Sequence, residues 1–198
     1  MPPRITTSKE MIIKAGYTIA DEEGIGQVNC RAIAKKLGCS TQPVFSRFPN
    51  MDELKEEVFK YACDELEKSI ADRLEDSKEH SLLEISVTVL ADLAREHKNL
   101  YKLIYLSDFR SEKSFLEERE KYRTNKLIIK ELVDRYNIDS ERVESIFERS
   151  SLLVHGICTV IATTTMDYSN EKVLKIVNDA LTDAGKAKQN QFCILSIS

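Results

Sequence analysis

One short stretch, residues 41–48, carries the side chains best placed for specific chemistry; it reads Thr-Gln-Pro-Val-Phe-Ser-Arg-Phe. Thr41 and Gln42 lie near its start, and a glutamine can form two hydrogen bonds to the edge of an adenine base. These two residues are expected to touch base edges. The residues expected to face the DNA backbone are Phe45, Ser46 and Arg47. The alternative is that all of them are merely exposed side chains of a small helical domain.

Helix signals on both sides of this stretch predict how it is held. Ser40 is a good helix N-cap, and Pro49 lacks a backbone N–H and disfavours a helical conformation in the residue before it. Pro43 is tolerated in the first turn, because the N–H groups there have no partner inside the helix. A second helical pattern covers residues 31–37, and Gly38 supplies a tight turn. Two short helices joined in this way are typical of the helix-turn-helix, whose second helix enters the DNA major groove.

The distribution of charge predicts a local basic surface. The chain of 198 residues has a formal net charge of −4, which argues against non-specific coating of nucleic acid. Residues 1–48 hold seven Lys and Arg against four acids, a local charge of +3, so the remainder carries −7. Lys and Arg side chains on the helix before the turn are suited to attracting DNA phosphates. Each of them is explained equally well as an ordinary solvated side chain with no role in binding. The candidate DNA-contacting residues are Arg31, Lys36, Thr41, Gln42, Pro43, Phe45, Ser46 and Arg47.

Several polar residues have the spacing of helix N-terminal caps. Thr7 with Glu10, and Ser81 with Glu84, match the capping box, in which each side chain bonds the backbone N–H of the other residue. Asn29 is a further candidate cap. These caps introduce segments whose apolar residues recur at helical spacing.

The segments together predict an all-α fold. Helices are expected at about residues 8–23, 31–37, 41–48, 51–74, 82–97, 99–107, 114–136, 140–165 and 170–184, the last between Asn170 as N-cap and Gly185 as stop. Strand-like character is confined to the tail, residues 192–198.

Across the first four predicted helices, the spacing of apolar residues and glycines resembles the N-terminal signature of the TetR/AcrR family of bacterial transcriptional regulators. The resemblance is carried by Ile12, Ile13, Ala15, Gly24, Ile33, Ala34, Leu37, Gly38, Ser40, Val44, Phe45, Phe48 and Leu54. It implies a three-helix DNA-binding domain at residues 1–50 and a helical ligand-binding and dimerisation domain at residues 51–198. Phe45 stands where the family usually has a tyrosine whose hydroxyl reaches a phosphate, and Met51 stands where a lysine is usual.

The function that the resemblance implies is ligand-responsive regulation of transcription. The expected partners are a double-stranded DNA operator, a second copy of the chain and a small-molecule effector that releases a repressor from a palindromic site. The competing interpretation is a dimeric protein-interaction module of the same fold with weakened or lost operator binding, which the apolar Phe45 and Met51 favour.

A group of aromatic residues marks the expected effector pocket. Aromatic rings with polar tips suit a mostly apolar cavity that needs a few orienting hydrogen bonds. Singly, each of them is more readily explained as an ordinary core or surface residue. The candidates for ligand binding are Tyr101, Tyr105, Phe109, Phe115, Tyr122 and His155.

Wide apolar faces on the last two helices predict the dimer interface. A twofold interface buries such faces against their own copies, and a palindromic DNA site requires a dimer. An internal helix pair would use similar residues. The candidates are Leu152, Ile157, Val160, Ile161, Val173, Ile176, Val177, Ala180 and Leu181.

Several function classes are disfavoured. The sequence has no Gly-rich phosphate loop, no Gly-x-Ser-x-Gly and no His-Glu-x-x-His, so neither an enzyme nor a cofactor is expected. The three histidines and five scattered cysteines have no metal-ligand spacing, and the cysteines are expected to be buried free thiols. No stretch is expected to cross a membrane and no signal peptide is apparent, so the expected location is the cytoplasm.

Overall fold

A computed structural model describes residues 7–77, 80–109, 121–136 and 140–195. Within these residues the backbone forms nine α-helices and no strand, which confirms the all-α prediction. The helices are α1 (Lys9–Glu23), α2 (Cys30–Leu37), α3 (Thr41–Arg47), α4 (Met51–Asp76), α5 (Leu82–Glu96), α6 (Lys98–Tyr105), α7 (Arg123–Tyr136), α8 (Ser140–Thr163) and α9 (Asn170–Leu195), with a 3-10 turn at Ile25–Gln27.

Two of the predicted caps are confirmed, and the one predicted at the start of α1 is wrong. Asn29 accepts hydrogen bonds from the backbone N–H groups of the first turn of α2, at 3.0 and 3.1 Å. Ser81 and Glu84 form the reciprocal box, with N···O distances of 3.0 and 3.2 Å. At the start of α1 the cap is Ser8 rather than Thr7, because Ser8 has the extended backbone of an N-cap while the Thr7 side chain is buried.

The limits predicted for α9 are also corrected. Ser169, not Asn170, caps this helix, and its hydroxyl accepts a hydrogen bond from the backbone N–H of Lys172 at 3.3 Å. The helix continues through Gly185 to Leu195, so the predicted stop is wrong and the tail is helical up to that residue. A glycine ends a helix readily when it takes a left-handed conformation, whereas inside a helix it costs only about 1 kcal/mol.

The chain forms two compact units, and each includes part of α4. Among the described residues, the first unit comprises residues 7–68 and 96–109, and the second comprises residues 69–77, 80–95, 121–136 and 140–195. The second segment of the first unit includes α6, which packs on α1. One contact between these two helices joins Asn99 Nδ2 to the carbonyl oxygen of Asp21 at 2.8 Å, and just before α6 His97 Nδ1 lies 2.9 Å from the Asp21 carboxylate. The predicted functional boundary at residue 50 stays a prediction.

A glycine permits close packing of α1 on α4 in the first unit. Gly16 is buried on α1, and a Cβ atom added there would lie 2.7 Å from Cγ2 of Val58. Ile12, Ala15 and Ile19, which recur along α1 at helical spacing, are buried. This core supports the helix-turn-helix segment from behind.

In the second unit, α8 packs on both α7 and α9. The expectation that no stretch could cross a membrane is corrected here, because Arg142–Thr163 is, by length and composition alone, long and apolar enough to do so. A core helix of a soluble protein can have the same length and composition, and this one carries apolar residues on its inner face and on its outer face.

Candidate nucleic-acid interface

The turn between α2 and α3 is fixed by Gly38. This residue has φ +64°, the left-handed conformation that glycine adopts without strain. The backbone N–H of Cys39 donates to the carbonyl of Ala34 at 3.0 Å, and that of Gly38 donates to the carbonyl of Lys35 at 3.3 Å. Together these bonds form a Schellman motif, which ends α2 and turns the chain into α3.

One side of α3 is anchored in the core of the first unit. Val44 and Phe48 are 0% and 1% exposed, as their four-residue spacing predicts. Lys9 Nζ lies 5.1 Å from the centroid of the Phe48 ring, at cation–π distance. At the start of the helix, the Cys30 thiol donates to the carbonyl of Thr41 at 3.4 Å. Ser40 occupies the N-cap position, but its side chain forms no cap hydrogen bond, contrary to the prediction.

The opposite side of α3 faces outward and carries the predicted DNA-contacting residues. The exposed ones are Thr41, Gln42, Phe45, Ser46 and Arg47, and Pro43 is half-buried. The Ser46 hydroxyl donates to the carbonyl of Pro43 at 3.1 Å, so its proton is engaged within the helix while its oxygen can still accept. The outward surface therefore combines polar groups with one apolar ring, Phe45, which is 59% exposed.

The cations of α2 are in two different environments. Arg31 and Lys35 are exposed. Lys36 instead forms an ion pair with Glu22, with Nζ 2.6 Å from Oε2. An incoming phosphate would have to compete with that carboxylate, so the predicted role of Lys36 as a phosphate contact is weakened. No sequence signal indicates this pair, because its members are 14 residues apart on different helices.

The residues predicted for the effector pocket are divided between the two units. Tyr101 and Tyr105 belong to the first unit and pack with ring centroids 5.2 Å apart, and Tyr101 is 0% exposed. Phe109, also in the first unit, stacks on Phe59 at 5.9 Å. The two candidates in the second unit are Tyr122 and His155, and Phe115 lies outside the described residues.

Polar and apolar residues from three helices and from the segment between α4 and α5 surround a cavity of about 190 Å³ in the second unit. Its wall contains none of the predicted pocket residues. The sequence could not indicate it, because each contributing helix supplies only a few residues to the wall. The lining residues are Arg73, Ser77, His80, Glu84, Ile85, Thr88, Asn170 and Leu174.

A cluster of charged and polar residues beside this cavity joins α4, α5 and α9. Asp92 accepts hydrogen bonds from Arg73 at 2.7 Å and from Asn170 at 2.8 Å. Arg95 donates to the carbonyl of Tyr168 at 2.6 Å and to Asp92 at 3.0 Å. Burial opposes ionisation of Asp92, but these hydrogen bonds and cations outweigh it and hold the pKa of its carboxyl below the ordinary value.

The nine candidates for the dimer interface divide into buried and accessible residues. Four of them already contribute to the core of the second unit: Ile161, Val173, Val177 and Leu181. A buried side chain has no accessible surface that could contact a partner, so a dimer interface would have to use the other five candidates. These are Leu152, which is 55% exposed, together with Ile157, Val160, Ile176 and Ala180.

The cysteines differ from the expectation that all are buried. Cys63 and Cys158 are buried and form no disulfide, whereas Cys30 and Cys39, on either side of the turn region, are half-buried. Burial raises the pKa of the Cys158 thiol to about 12. The side chain of Cys193 lies outside the described residues. Among the residues that are described, no cluster of His, Cys, Asp or Glu could hold a metal ion.

Comparison with known proteins identifies a sequence relative and a solved structure with a similar fold. The chain is 24% identical over 162 residues to YobS of Bacillus subtilis (strain 168), an uncharacterized protein named as an HTH-type transcriptional regulator; the alignment covers 82% of this chain and 83% of YobS. A crystal structure from Streptomyces coelicolor A3(2), of a protein provisionally named a transcriptional regulator, superposes with a TM-score of 0.51 at 16% identity, covering 88% of this chain and 98% of that one. That likeness establishes a shared fold. No protein-family model matches the sequence.

Proposed function

We propose that this chain is a DNA-binding transcriptional regulator of the TetR/AcrR type, acting as a homodimer in the cytoplasm. The observation that carries the proposal is the outward surface of α3, where Thr41 and Gln42 are exposed while Val44 and Phe48 hold the helix from behind. The similarity to YobS, whose name describes an HTH-type transcriptional regulator, supports the same conclusion.

The proposed mode of binding puts α3 in the major groove. A helix of seven residues is about 10 Å long, which suits a groove about 12 Å wide. Gln42 has the amide needed for two hydrogen bonds to an adenine, and Thr41 can bond a neighbouring base. Arg31 and Arg47 are exposed cations that can neutralise phosphates on either side of the helix.

The proposed homodimer has the twofold symmetry that a palindromic DNA site requires. The accessible residues Leu152, Val160 and Ile176 supply apolar surface on α8 and α9, and a twofold contact would bury it. Two copies of α3 would then bind two half-sites about one helical turn apart on a palindromic operator. Sedimentation at micromolar concentration tests this part of the proposal, and a monomer would refute it.

Regulation by a small molecule is the remaining part of the proposal, with release of a repressor as its outcome. The helix α4 belongs to the first unit at its start and to the second at its end, so it links the DNA-contacting helices covalently to the second unit. An effector changes DNA affinity only if it binds one arrangement of the dimer more tightly than the other. Mass spectrometry of small molecules that co-purify with the protein is the direct test.

DNA binding is tested by selecting duplexes from a randomised pool and titrating the selected duplex at several salt concentrations. We expect specific binding whose affinity falls steeply with salt, because neutralised phosphates release counterions. Arg47→Ala should reduce the slope of log affinity against log salt concentration by about one unit for each phosphate that Arg47 neutralises. Gln42→Ala should reduce the preference for one base by about 1–3 kcal/mol. Lys172→Ala, which removes an exposed cation from α9, is the matched control and should leave both quantities unchanged.

Equal affinity for selected and scrambled duplexes would refute specific regulation. If the protein also remained a dimer, the competing interpretation of a protein-interaction module would be favoured instead. The ion pair that engages Lys36 and the apolar Phe45 on the outer surface are the observations behind that alternative.

A further inference from the structure

The outer surface of α3 contains an apolar ring that the fold does not use. Phe45 is 59% exposed, whereas Phe48, one turn later, is fully buried and anchors the helix. Phe45 follows Thr41 by four residues and Gln42 by three, so the three side chains are neighbours on one helical surface. The ring therefore lies among the groups that the proposed function assigns to base recognition, in place of the backbone-facing role expected for it from the sequence.

The chemistry of this ring limits what it can recognise. A phenylalanine has neither a hydrogen-bond donor nor an acceptor, so it cannot bond a phosphate or a polar base edge. Among the groups that base pairs display in the major groove, the C5-methyl group of thymine is the apolar one. A ring beside Gln42 is thus suited to a thymine methyl group, while the amide of Gln42 is suited to adenine.

We propose that Phe45 is a specificity-determining residue that contacts the 5-methyl group of a thymine in each half-site, so that α3 selects A·T base pairs together with Gln42. This inference rests on the proposed function, since it requires α3 to enter the major groove. It differs from a phosphate contact in a measurable way: it depends on one methyl group of the DNA and is insensitive to the charge of the backbone.

Replacing thymine by deoxyuridine removes that methyl group and keeps the base pairing. The experiment uses the full-length protein and a duplex selected from a randomised pool, with each thymine replaced in turn. Burial of one methyl group corresponds to about a fourfold change in affinity. We expect one replacement in each half-site to weaken binding about fourfold, and the symmetric pair of replacements to weaken it by roughly an order of magnitude.

Variants of Phe45 identify the protein side of the contact. Phe45→Ala should bind thymine and uracil duplexes equally, because the partner of the methyl group is gone. Phe45→Leu keeps an apolar side chain and should retain part of the discrimination. Since the ring is exposed, neither variant should lower the melting temperature of the free protein, which controls for misfolding.

The outcomes separate the inference from the function on which it rests. If binding is specific but does not change when any thymine is replaced by deoxyuridine, the inference is overturned and the proposed function as a regulator stands. If Phe45→Ala weakens the binding of both the thymine and the uracil duplex but keeps the same preference for thymine, the inference is also overturned. The absence of specific binding to any duplex would refute the proposed function, and the inference would fall with it.

Discussion

Replacing Gly16 by alanine tests how closely α1 packs on α4. The added Cβ would lie 2.7 Å from Cγ2 of Val58, whereas nonbonded carbon atoms prefer about 3.5–4.0 Å. One of the two helices must therefore move by nearly 1 Å, because Val58 is buried and a β-branched side chain has few alternative rotamers. Overpacking of this kind costs about 1–3 kcal/mol.

A second effect of the same substitution has the opposite sign. Alanine is favoured over glycine in a helix by about 1 kcal/mol. The net result expected for Gly16→Ala is a decrease of about 1 kcal/mol in the free energy of unfolding, or roughly 2–4 °C in melting temperature for a chain of this length. In a Val58→Ala background the obstructing methyl group is absent, so Gly16→Ala should stabilise the protein by about 1 kcal/mol.

This change of sign is the decisive measurement. Urea unfolding followed by circular dichroism gives the four free energies of the double-mutant cycle, and we expect a coupling of about 2 kcal/mol between the two sites. Gly26→Ala is the control, because no atom lies within 4 Å of its added Cβ, and its effect should be the same in both backgrounds. Equal effects of Gly16→Ala in the two backgrounds would refute the inferred contact.

Three further predictions concern the turn, the charged cluster and a buried thiol. Gly38→Ala should cost about 1–2 kcal/mol in urea unfolding, because φ +64° is strained for alanine; an unchanged stability would contradict the turn geometry. Asp92→Ala should cost about 2–3 kcal/mol by removing the acceptor of Arg73 and Asn170. The pKa of Asp92 in the folded protein lies below its ordinary value of 3.8, so the stabilisation that Asp92 provides is fully present above pH 3.8 and is lost as the pH falls through the lower, folded-state pKa. The wild type should therefore lose more stability below pH 4 than the variant. Cys158, with a pKa of about 12 and no exposure, should resist iodoacetamide at pH 8 until the protein unfolds; the labelled positions are located by peptide mass spectrometry, since the half-buried Cys30 and Cys39 are more accessible, and rapid labelling of Cys158 itself in the folded protein would refute this.

The sequence predicts well those features that depend on neighbouring residues. The cap at Asn29, the box formed by Ser81 and Glu84 and the buried positions of Val44 and Phe48 all follow from spacings of three or four residues, and all are confirmed. Gly185 shows the limit of such signals. Whether a glycine ends a helix depends on the backbone conformation that the surrounding structure imposes, and the helix α9 continues through it.

Contacts between distant residues are not predictable from such spacings. Nothing in the sequence pairs Lys36 with Glu22, or joins Asp92 to Asn170 across 78 residues. The same reason explains why the residues predicted for the effector pocket are divided between the two units, because aromatic residues that are close in sequence need not line one wall. Tyr101 instead contributes to a fully packed core, while the cavity of the second unit is lined by polar and apolar side chains of α4, α5, α9 and the segment between α4 and α5.

These distant contacts bear on how the proposed regulation would work. Arg73, near the end of α4, is tied to α5 through Asp92, which in turn bonds Asn170 at the start of α9. A change in the packing of these three helices must therefore either break charged hydrogen bonds or carry the end of α4 with it. Breaking one such bond costs about 1.5–3 kcal/mol, which is comparable to a typical allosteric coupling energy. In the proposed regulation, an effector that changes this packing would therefore act on α4, the helix that begins at Met51, three residues after Phe48 anchors α3.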